Sequence, residues 1–220
     1  MYNQPMLLKL LFQNPIVFIL LSISLIISIS IHEFAHAFIA SKLGDPTAKL
    51  LGRVTLNPLA HLDPLGTFLL LFAGFGWGKP VPFNPIYLKN PKRDAAIISF
   101  AGPASNFLLA ILVSIVIHLT PQTGLPAQTG LGLFTLIHYL LYMIAFYNLV
   151  LGFFNLIPIH PLDGFKVVNG FLPHELSIQW MQMAPYGIWI LLVLIMTDTT
   201  SKIITPLITL TMGVLGLKAF

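Results

Sequence analysis

Residues 32–36, HEFAH, place two histidines and a glutamate inside a long apolar run. On a helix, residues four apart lie side by side, so His32 and His36 would present two imidazoles to one point. Glu33 follows His32 directly and could reach a water molecule bound at that point. Two histidines at this spacing with an adjacent glutamate are the pattern of a hydrolytic zinc site, in which the glutamate is the general base.

Core histidines are the competing interpretation, in which both imidazoles only satisfy buried hydrogen bonds and the glutamate is an incidental charge. A carboxylate in hydrocarbon costs several kcal/mol unless it is used or paired, which argues against this interpretation. Ser24, Ser28 and Ala40 continue the histidine stripe at four-residue intervals. This face of small and polar residues is therefore expected to point into the protein, where helices pack closely.

A catalytic zinc ion usually has three protein ligands and one open position. If the first apolar segment begins near Ile16, His32 lies roughly 24 Å and His36 roughly 30 Å along it, at about 1.5 Å per residue. The segment that begins at Leu131 runs in the same direction, so Asp163 arrives at a similar depth and is the predicted third ligand. Besides the other histidines, the candidates were Asp45, Asp63, Asp94, Asp163, Glu175 and Asp198.

Composition indicates an integral membrane protein. Hydrophobic residues make up 56% of the 220 residues and charged residues 8%, with a mean hydropathy of +0.88. A soluble surface needs roughly 25% charged residues, so this chain cannot cover a water-facing globule. The chain has no cysteine, which excludes a disulfide framework, a cysteine nucleophile and a thiolate metal site.

The chain has a net charge of +4, and most of its basic residues lie between residues 42 and 93. Loop 120–130 has no charge, so the positive-inside tendency predicts that region 42–93 is cytosolic and that 120–130 lies outside. A basic patch for nucleic acid lacks the aromatic or motif support expected of one, and no nucleic-acid partner is predicted. The basic residues of the stretch are Lys42, Lys49, Arg53, Lys79, Lys89, Lys92 and Arg93.

The predicted fold is an all-α integral membrane protein, a polytopic helix bundle of about five to six spans with a re-entrant, short β-like loop. Residues 16–40 are long enough to cross a bilayer of roughly 30 Å, and we interpret them as a span, not as a cleaved signal peptide. Residues 95–119 and 131–157 are further clear spans. Residues 183–196 and 203–217 are also apolar, although the first of these is short for a span.

Residues 66–76 are too short to span as a helix and lead into GFGWGKPVPFNP, whose glycines and prolines oppose helix. We predict a re-entrant or interfacial loop over about 75–84. At the start of the chain, residues 1–14 are predicted to contain a short interfacial helix. The whole chain, 1–220, is predicted to be one domain. Its catalytic core would cover about 16–170 and its C-terminal membrane segments 171–220.

HEFAH in a first span and NLIPIHPLDG after a later one resemble the site-2 protease family, the intramembrane zinc metalloproteases. The stretches GDPTAKLLGRVTLNPLAHLDPLGT, GWGKPVPFNP and AGPASNF are also similar to its compact bacterial members, which lack a PDZ or CBS domain. The resemblance covers roughly residues 25–170. It implies one zinc ion held by His32, His36 and Asp163, with Glu33 as general base and acid. It also implies that Asn155 helps to hold the substrate carbonyl or its oxyanion.

The resemblance further implies that the chain hydrolyses peptide bonds in or near transmembrane segments of membrane protein substrates, as in regulated intramembrane proteolysis. The expected location is the bacterial plasma membrane, with the active site toward the cytosol. Loop 75–84 would either pair with an unwound substrate strand or be a structural loop with Trp77 at the interface. His160 stands where the family pattern has proline or a small apolar residue. We interpret His160 as a loop residue without a role in the site, and the alternative is that it contributes to the metal site.

The alternative function is a non-proteolytic membrane protein that binds or transports metal with the same ligands. It predicts polar residues along a path across the membrane, whereas His118 and His138 are better explained as satisfied or interfacial histidines. Glu33 is not needed as a ligand, which favours catalysis. His61 and Asp63 are interpreted as part of a turn before proline. The oligomeric state is left open.

Overall fold

The computed structural model describes residues 7–73, 76–120 and 132–217, and within these ranges the architecture is all-α, as predicted. The one β-bridge of the described residues pairs Leu62 with Gly78 in antiparallel orientation. The helices are α1 (Leu7–Gln13), α2 (Pro15–Lys42), α3 (Thr47–Leu50), α4 (Pro64–Ala73), α5 (Pro91–Leu119), α6 (Leu133–Asn155), α7 (Asp163–Phe171), α8 (His174–Gln182), α9 (Ala184–Met196) and α10 (Thr199–Val214), with short 3-10 turns at Pro58–Ala60 and Pro85–Tyr87.

Helices α2, α5 and α6 pack against one another and form the centre of the molecule. Helix α7 lies against α5, and α10 lies against α6. Pro15 and Pro91 begin α2 and α5, where the missing backbone N–H of proline costs nothing because the first turn has no acceptor for it. The buried apolar core joins α5, α6 and α10 through residues such as Ala110, Leu149 and Ile208.

Three of the described helices are long and apolar enough to cross a membrane, α2, α5 and α6. The count becomes four if α8 and α9, which meet at a bend of 60°, form one broken span. The predicted five to six spans are therefore not confirmed. Helix α9 has 13 residues and α10 has 16, so each is roughly 20–24 Å long, which is less than a typical hydrocarbon core. Asp198, with a φ of 55°, separates them.

The segment that precedes the predicted loop is helical, since α4 covers Pro64–Ala73. The side chain of Asp63 accepts the backbone N–H of Gly66 at 2.7 Å, so Asp63 belongs to the turn that begins α4, as interpreted from the sequence. Gly74 and Phe75 lie outside the described residues. From 76 to 84 the chain is not helical, and its β-like character is limited to the bridge at Gly78. A re-entrant course of this segment stays a prediction.

Candidate metal centre

The side chains of His32, His36 and Asp163 converge on one point. His32 Nε2 lies 3.0 Å and His36 Nε2 3.2 Å from Asp163 Oδ2, and the two Nε2 atoms are 3.0 Å apart. Among the described residues this is the one group of three or more acidic or histidine side chains whose ligand atoms lie within 4.8 Å of one another. The structure thus brings together the three residues that the sequence analysis singled out as ligands.

Helix α2 supplies both imidazoles from its buried face. His32 and His36 are one turn apart, with ring centroids separated by 4.6 Å and ring planes at 84°. Ser24, Ser28 and Ala40 on the same face are also fully buried, so the stripe of small and polar residues points into the bundle as expected. The i, i+4 spacing places both rings on this one face.

Asp163 reaches the histidines because the first turn of α7 packs closely against the residues that follow α6. A Cβ atom added at Gly164 would lie 2.2 Å from the carbonyl oxygen of Leu156, so only glycine permits this close approach. Asp163 lies in the first turn of α7, where the positive end of the helix dipole favours a carboxylate. Burial would raise the pKa of Asp163, but the charge of His36 and the hydrogen bonds of both histidines lower it well below its usual range.

The other nitrogen of each imidazole is occupied by an acceptor. His36 Nδ1 lies 2.7 Å from the backbone carbonyl oxygen of Ile98, and His32 Nδ1 lies 2.6 Å from the side-chain oxygen of Asn106. Each acceptor requires the proton on Nδ1, so a neutral ring keeps a lone pair on Nε2. Two such lone pairs and a carboxylate oxygen that face one another form a set suited to a cation, and this donor set fits zinc.

Gly102 on α5 leaves room beside the two Nε2 atoms. A Cβ atom there would lie 2.4 Å from His36 Nε2 and 2.6 Å from His32 Nε2. Any side chain at this position would therefore enter the space that the three ligand atoms face. The close approach of α5 at Gly102 is thus made to the histidines themselves.

Glu33 lies beside this group and is not part of it. Its Oε2 accepts the backbone N–H of Val81 at 3.1 Å. The guanidinium of Arg53 is buried and donates to the backbone carbonyls of Lys79 and Pro80, which fixes the segment that covers Glu33. Burial lowers the pKa of Arg53 below its ordinary value, and the negative charge of Glu33 offsets part of this effect. The guanidinium stays charged, since arginine is not deprotonated in proteins.

In the part of the chain that the structure describes, Asn155 and His160 form no hydrogen bond with the three convergent side chains. Asn155 is the last residue of α6, and its amide nitrogen donates to the carbonyl oxygen of Leu151 at 3.0 Å. The ring of His160 packs edge-on against Phe165, with 5.7 Å between the ring centroids. Burial and the charge of Lys166 lower the pKa of His160, so its ring is neutral at pH 7. These contacts agree with a loop residue, and the oxyanion role of Asn155 stays a prediction.

The rejected ligand candidates have other structural roles. Asp45 accepts hydrogen bonds from Thr47 and from the backbone N–H of Asn84, and Asp94 accepts from the backbone N–H of Asn90. His61 is fully buried, and its Nε2 lies 2.7 Å from the carbonyl oxygen of Thr55. These hydrogen bonds account for the acidic residues and the histidine at these positions.

The sequence analysis assigned no chemistry to two buried asparagines that belong to the site. Asn106 bonds His32 directly, and Asn148 on α6 accepts the amide N–H of Asn106 at 2.7 Å. The available signal was an amide in an otherwise apolar span, which is costly unless it is paired. The sequence did not reveal which residues the amides of Asn106 and Asn148 would contact.

The apolar helices indicate a membrane protein, and its convergent His-His-Asp group is suited to one metal ion. The sequence model of peptidase family M50 matches residues 20–196, and the chain belongs to this family. The predicted relationship to the site-2 proteases is thereby confirmed. No solved structure matches the chain.

Curated relatives carry the same type of name. "Putative zinc metalloprotease YwhC" of Bacillus subtilis is 42% identical over 192 residues, which are 86% of this chain and 85% of the relative. "Putative zinc metalloprotease Rip2" of Mycolicibacterium smegmatis is 31% identical over 196 residues, 84% of this chain and 70% of the relative. "Zinc metalloprotease MJ0392" of Methanocaldococcus jannaschii is 29% identical over 161 residues, 72% of this chain and 36% of the relative. Family and site together support a zinc metalloprotease.

Proposed function

We propose that this protein is a zinc-dependent intramembrane endopeptidase that cleaves peptide bonds in or near transmembrane segments of membrane proteins, as in regulated intramembrane proteolysis. The observation that carries the proposal is the convergence of His32 Nε2, His36 Nε2 and Asp163 Oδ2 beside Glu33. In this proposal the three convergent residues are the ligands of one zinc ion, and Glu33 is the general base and acid.

Zinc bound at this group would lower the pKa of its water to roughly 7 and supply hydroxide at neutral pH. Glu33 takes the proton of the attacking water and then gives it to the leaving nitrogen. Its Oε2 is held by Val81 N–H, which leaves Oε1 as the oxygen that accepts the proton. The amide of Asn155 would donate toward the oxyanion of the tetrahedral intermediate after leaving its present acceptor, Leu151.

The site lies in the second half of α2, toward the end that carries Lys42. The basic residues that follow this end support a cytosolic location for it by the positive-inside tendency. We therefore propose a multi-pass protein of the cell membrane whose active site opens toward the cytosol. A hydrolytic centre at this depth reaches peptide bonds near the end of a membrane-embedded helix.

The segment from Gly78 to Val81 supports the choice of an extended substrate. It lies over Glu33, since a Cβ atom added at Gly78 would be 3.6 Å from Glu33 Oε1 and the N–H of Val81 binds Oε2. A peptide bond within a helix is shielded, so a substrate must unwind before attack. An unwound strand could add along this non-helical segment by bonding the backbone groups that Arg53, Glu33 and His61 do not occupy.

Metal transport with the same ligands is not favoured by the polar groups elsewhere in the spans. His118 Nδ1 lies 2.7 Å from the carbonyl oxygen of Ser114, and His138 contacts Thr120 Oγ1 and the carbonyl oxygen of Phe134. Each of these two histidines is occupied by a local partner. A relay of ligands across the bilayer would need side chains that are available to an ion.

The test compares membrane proteomes of cells that express the wild type or Glu33→Gln. Glu33→Gln keeps the shape of the side chain and removes its ability to accept the proton. We expect cleaved fragments of membrane proteins with the wild type alone, while the purified variant retains about one zinc per chain. Full cleavage by Glu33→Gln would contradict the proposed role of Glu33. Metal flux into proteoliposomes without proteolysis would favour the transport alternative.

A further inference from the structure

A line of buried side-chain amides crosses the bundle from α6 to the metal centre. Asn148 Oδ1 accepts an N–H of Asn106 at 2.7 Å, and Asn106 Oδ1 faces His32 Nδ1 at 2.6 Å. Both asparagines are fully buried. The three residues lie on three different helices: Asn148 on α6, Asn106 on α5 and His32 on α2. The line therefore links the packing of three helices to one imidazole ring.

The direction of each hydrogen bond in this line is fixed by groups that can only accept. The amide nitrogen of Asn148 faces the backbone carbonyl of Ile144 at 2.7 Å, and the amide nitrogen of Asn106 faces the backbone carbonyl of Ser28 at 3.1 Å. The hydroxyl of Ser28 donates to Ser24, so toward the amide nitrogen of Asn148, at 2.8 Å, it acts as acceptor. An amide turned by 180° would point oxygen at oxygen in each case, so only one orientation satisfies all partners.

This orientation determines which nitrogen of His32 carries the proton. With Oδ1 toward the ring, Asn106 accepts Nδ1–H and leaves the lone pair on Nε2. With its nitrogen toward the ring, Asn106 would donate to Nδ1, and a neutral imidazole would then carry its proton on Nε2. A proton on Nε2 excludes the lone pair that a metal ion at the site requires.

We propose that Asn148 is a positioning residue for the metal centre, which holds the Asn106 amide in the orientation that keeps the Nε2 lone pair of His32 available to metal. The inference rests on the proposed metal site. Without Asn148, the second N–H of Asn106 loses its acceptor in a fully buried place, because Ser28 offers a carbonyl to only one of the two N–H groups. An unpaired buried N–H is costly, and the amide gains freedom to tilt or turn.

The experiment measures the zinc dissociation constant of detergent-solubilised protein by competition with a chelator. We expect Asn106→Leu to raise the dissociation constant by about 10- to 100-fold, as for other residues that orient a metal ligand, and Asn148→Leu by about 3- to 10-fold. The double variant should equal Asn106→Leu alone, because Asn148 acts only through Asn106.

The matched control is Leu149→Ala, which removes a buried apolar side chain from the same turn of α6. It should lower the melting temperature and leave the zinc dissociation constant unchanged. If Asn148→Leu does not yield folded protein, Asn148→Ala carries the same expectation. An unchanged dissociation constant in the folded Asn148 variant, or effects of the two asparagines that add in the double variant, would overturn the inference. A wild-type protein that binds no zinc would overturn the proposed function as well as the inference. A wild-type protein that binds zinc, together with an unchanged dissociation constant in the Asn148 variant, would overturn the inference alone.

Discussion

The carboxylate of Glu33 accepts a hydrogen bond from the backbone N–H of Val81 at 3.1 Å, across 48 positions of the sequence. A backbone donor holds a carboxylate without competing for protons, since it cannot itself be deprotonated at neutral pH. The two residues come from unlike parts of the molecule, the interior of α2 and a non-helical segment that Arg53 anchors. The bond therefore joins the proposed base to the proposed substrate-binding segment.

Val81→Pro removes the N–H that holds Glu33 and keeps the extended character of a segment already flanked by Pro80 and Pro82. We expect the turnover of a membrane substrate to fall by about 10-fold, which corresponds to one lost hydrogen bond to a charged group of about 1.4 kcal/mol. Zinc content should stay at the wild-type level. Val81→Ala, which keeps the N–H, serves as control, and equal activity of the two variants would show that the bond is not needed.

Gly102→Ala should abolish metal binding. The added methyl group would lie 2.4–2.6 Å from both Nε2 atoms, so the imidazoles must shift, and this overpacking outweighs the gain of about 0.8–1.0 kcal/mol in helix propensity. The measurement is zinc content by elemental analysis, together with the melting temperature. Gly213→Ala on α10 is the matched control, because a Cβ atom there meets nothing within 4 Å, and its zinc content should be that of the wild type. Normal zinc content in Gly102→Ala would contradict the proposed place of the ion.

Asp163→Asn replaces the one anionic group of the proposed ligand set by a neutral amide. We expect zinc affinity to fall by more than about 100-fold, beyond the range typical of residues that only orient a ligand. Asp94→Asn is the control, because Asp94 is a buried acidic side chain that bonds only a local backbone N–H. Chelator competition on both purified variants gives the comparison. Unchanged affinity in Asp163→Asn would remove Asp163 from the ligand set.

Arg53→Lys should impair substrate cleavage while metal binding is preserved. The guanidinium donates to two successive carbonyls, of Lys79 and Pro80, and a lysine ammonium cannot reproduce this planar fork. We expect kcat/KM for a membrane substrate to fall by about 10-fold, from two weakened hydrogen bonds. Lys49→Gln removes an exposed cation of the same region and should leave kcat/KM unchanged. An equal loss in both variants would indicate a general effect of charge.

The class of the fold and three residues of the site could be predicted from local rules. The apolar composition requires a membrane environment, and a four-residue spacing on a helix must place His32 and His36 on one face. The depth of two apolar segments that run in the same direction then favoured Asp163 over the other acids. These inferences needed only the length of a helix per residue and the cost of burying charge.

The lengths of the C-terminal helices and the partners of the imidazoles came from the tertiary structure. The composition of a short apolar segment does not reveal where its helix ends, and α9 and α10 have 13 and 16 residues. Asn106 meets His32 across 74 positions of the sequence and Asn148 across 42, so no local pattern connects them. The sequence alone determined which side chains could bind a metal ion. Only the packing of α2, α5 and α6 decided which groups meet their imidazole nitrogens, because a hydrogen bond between buried groups depends on which helix faces meet.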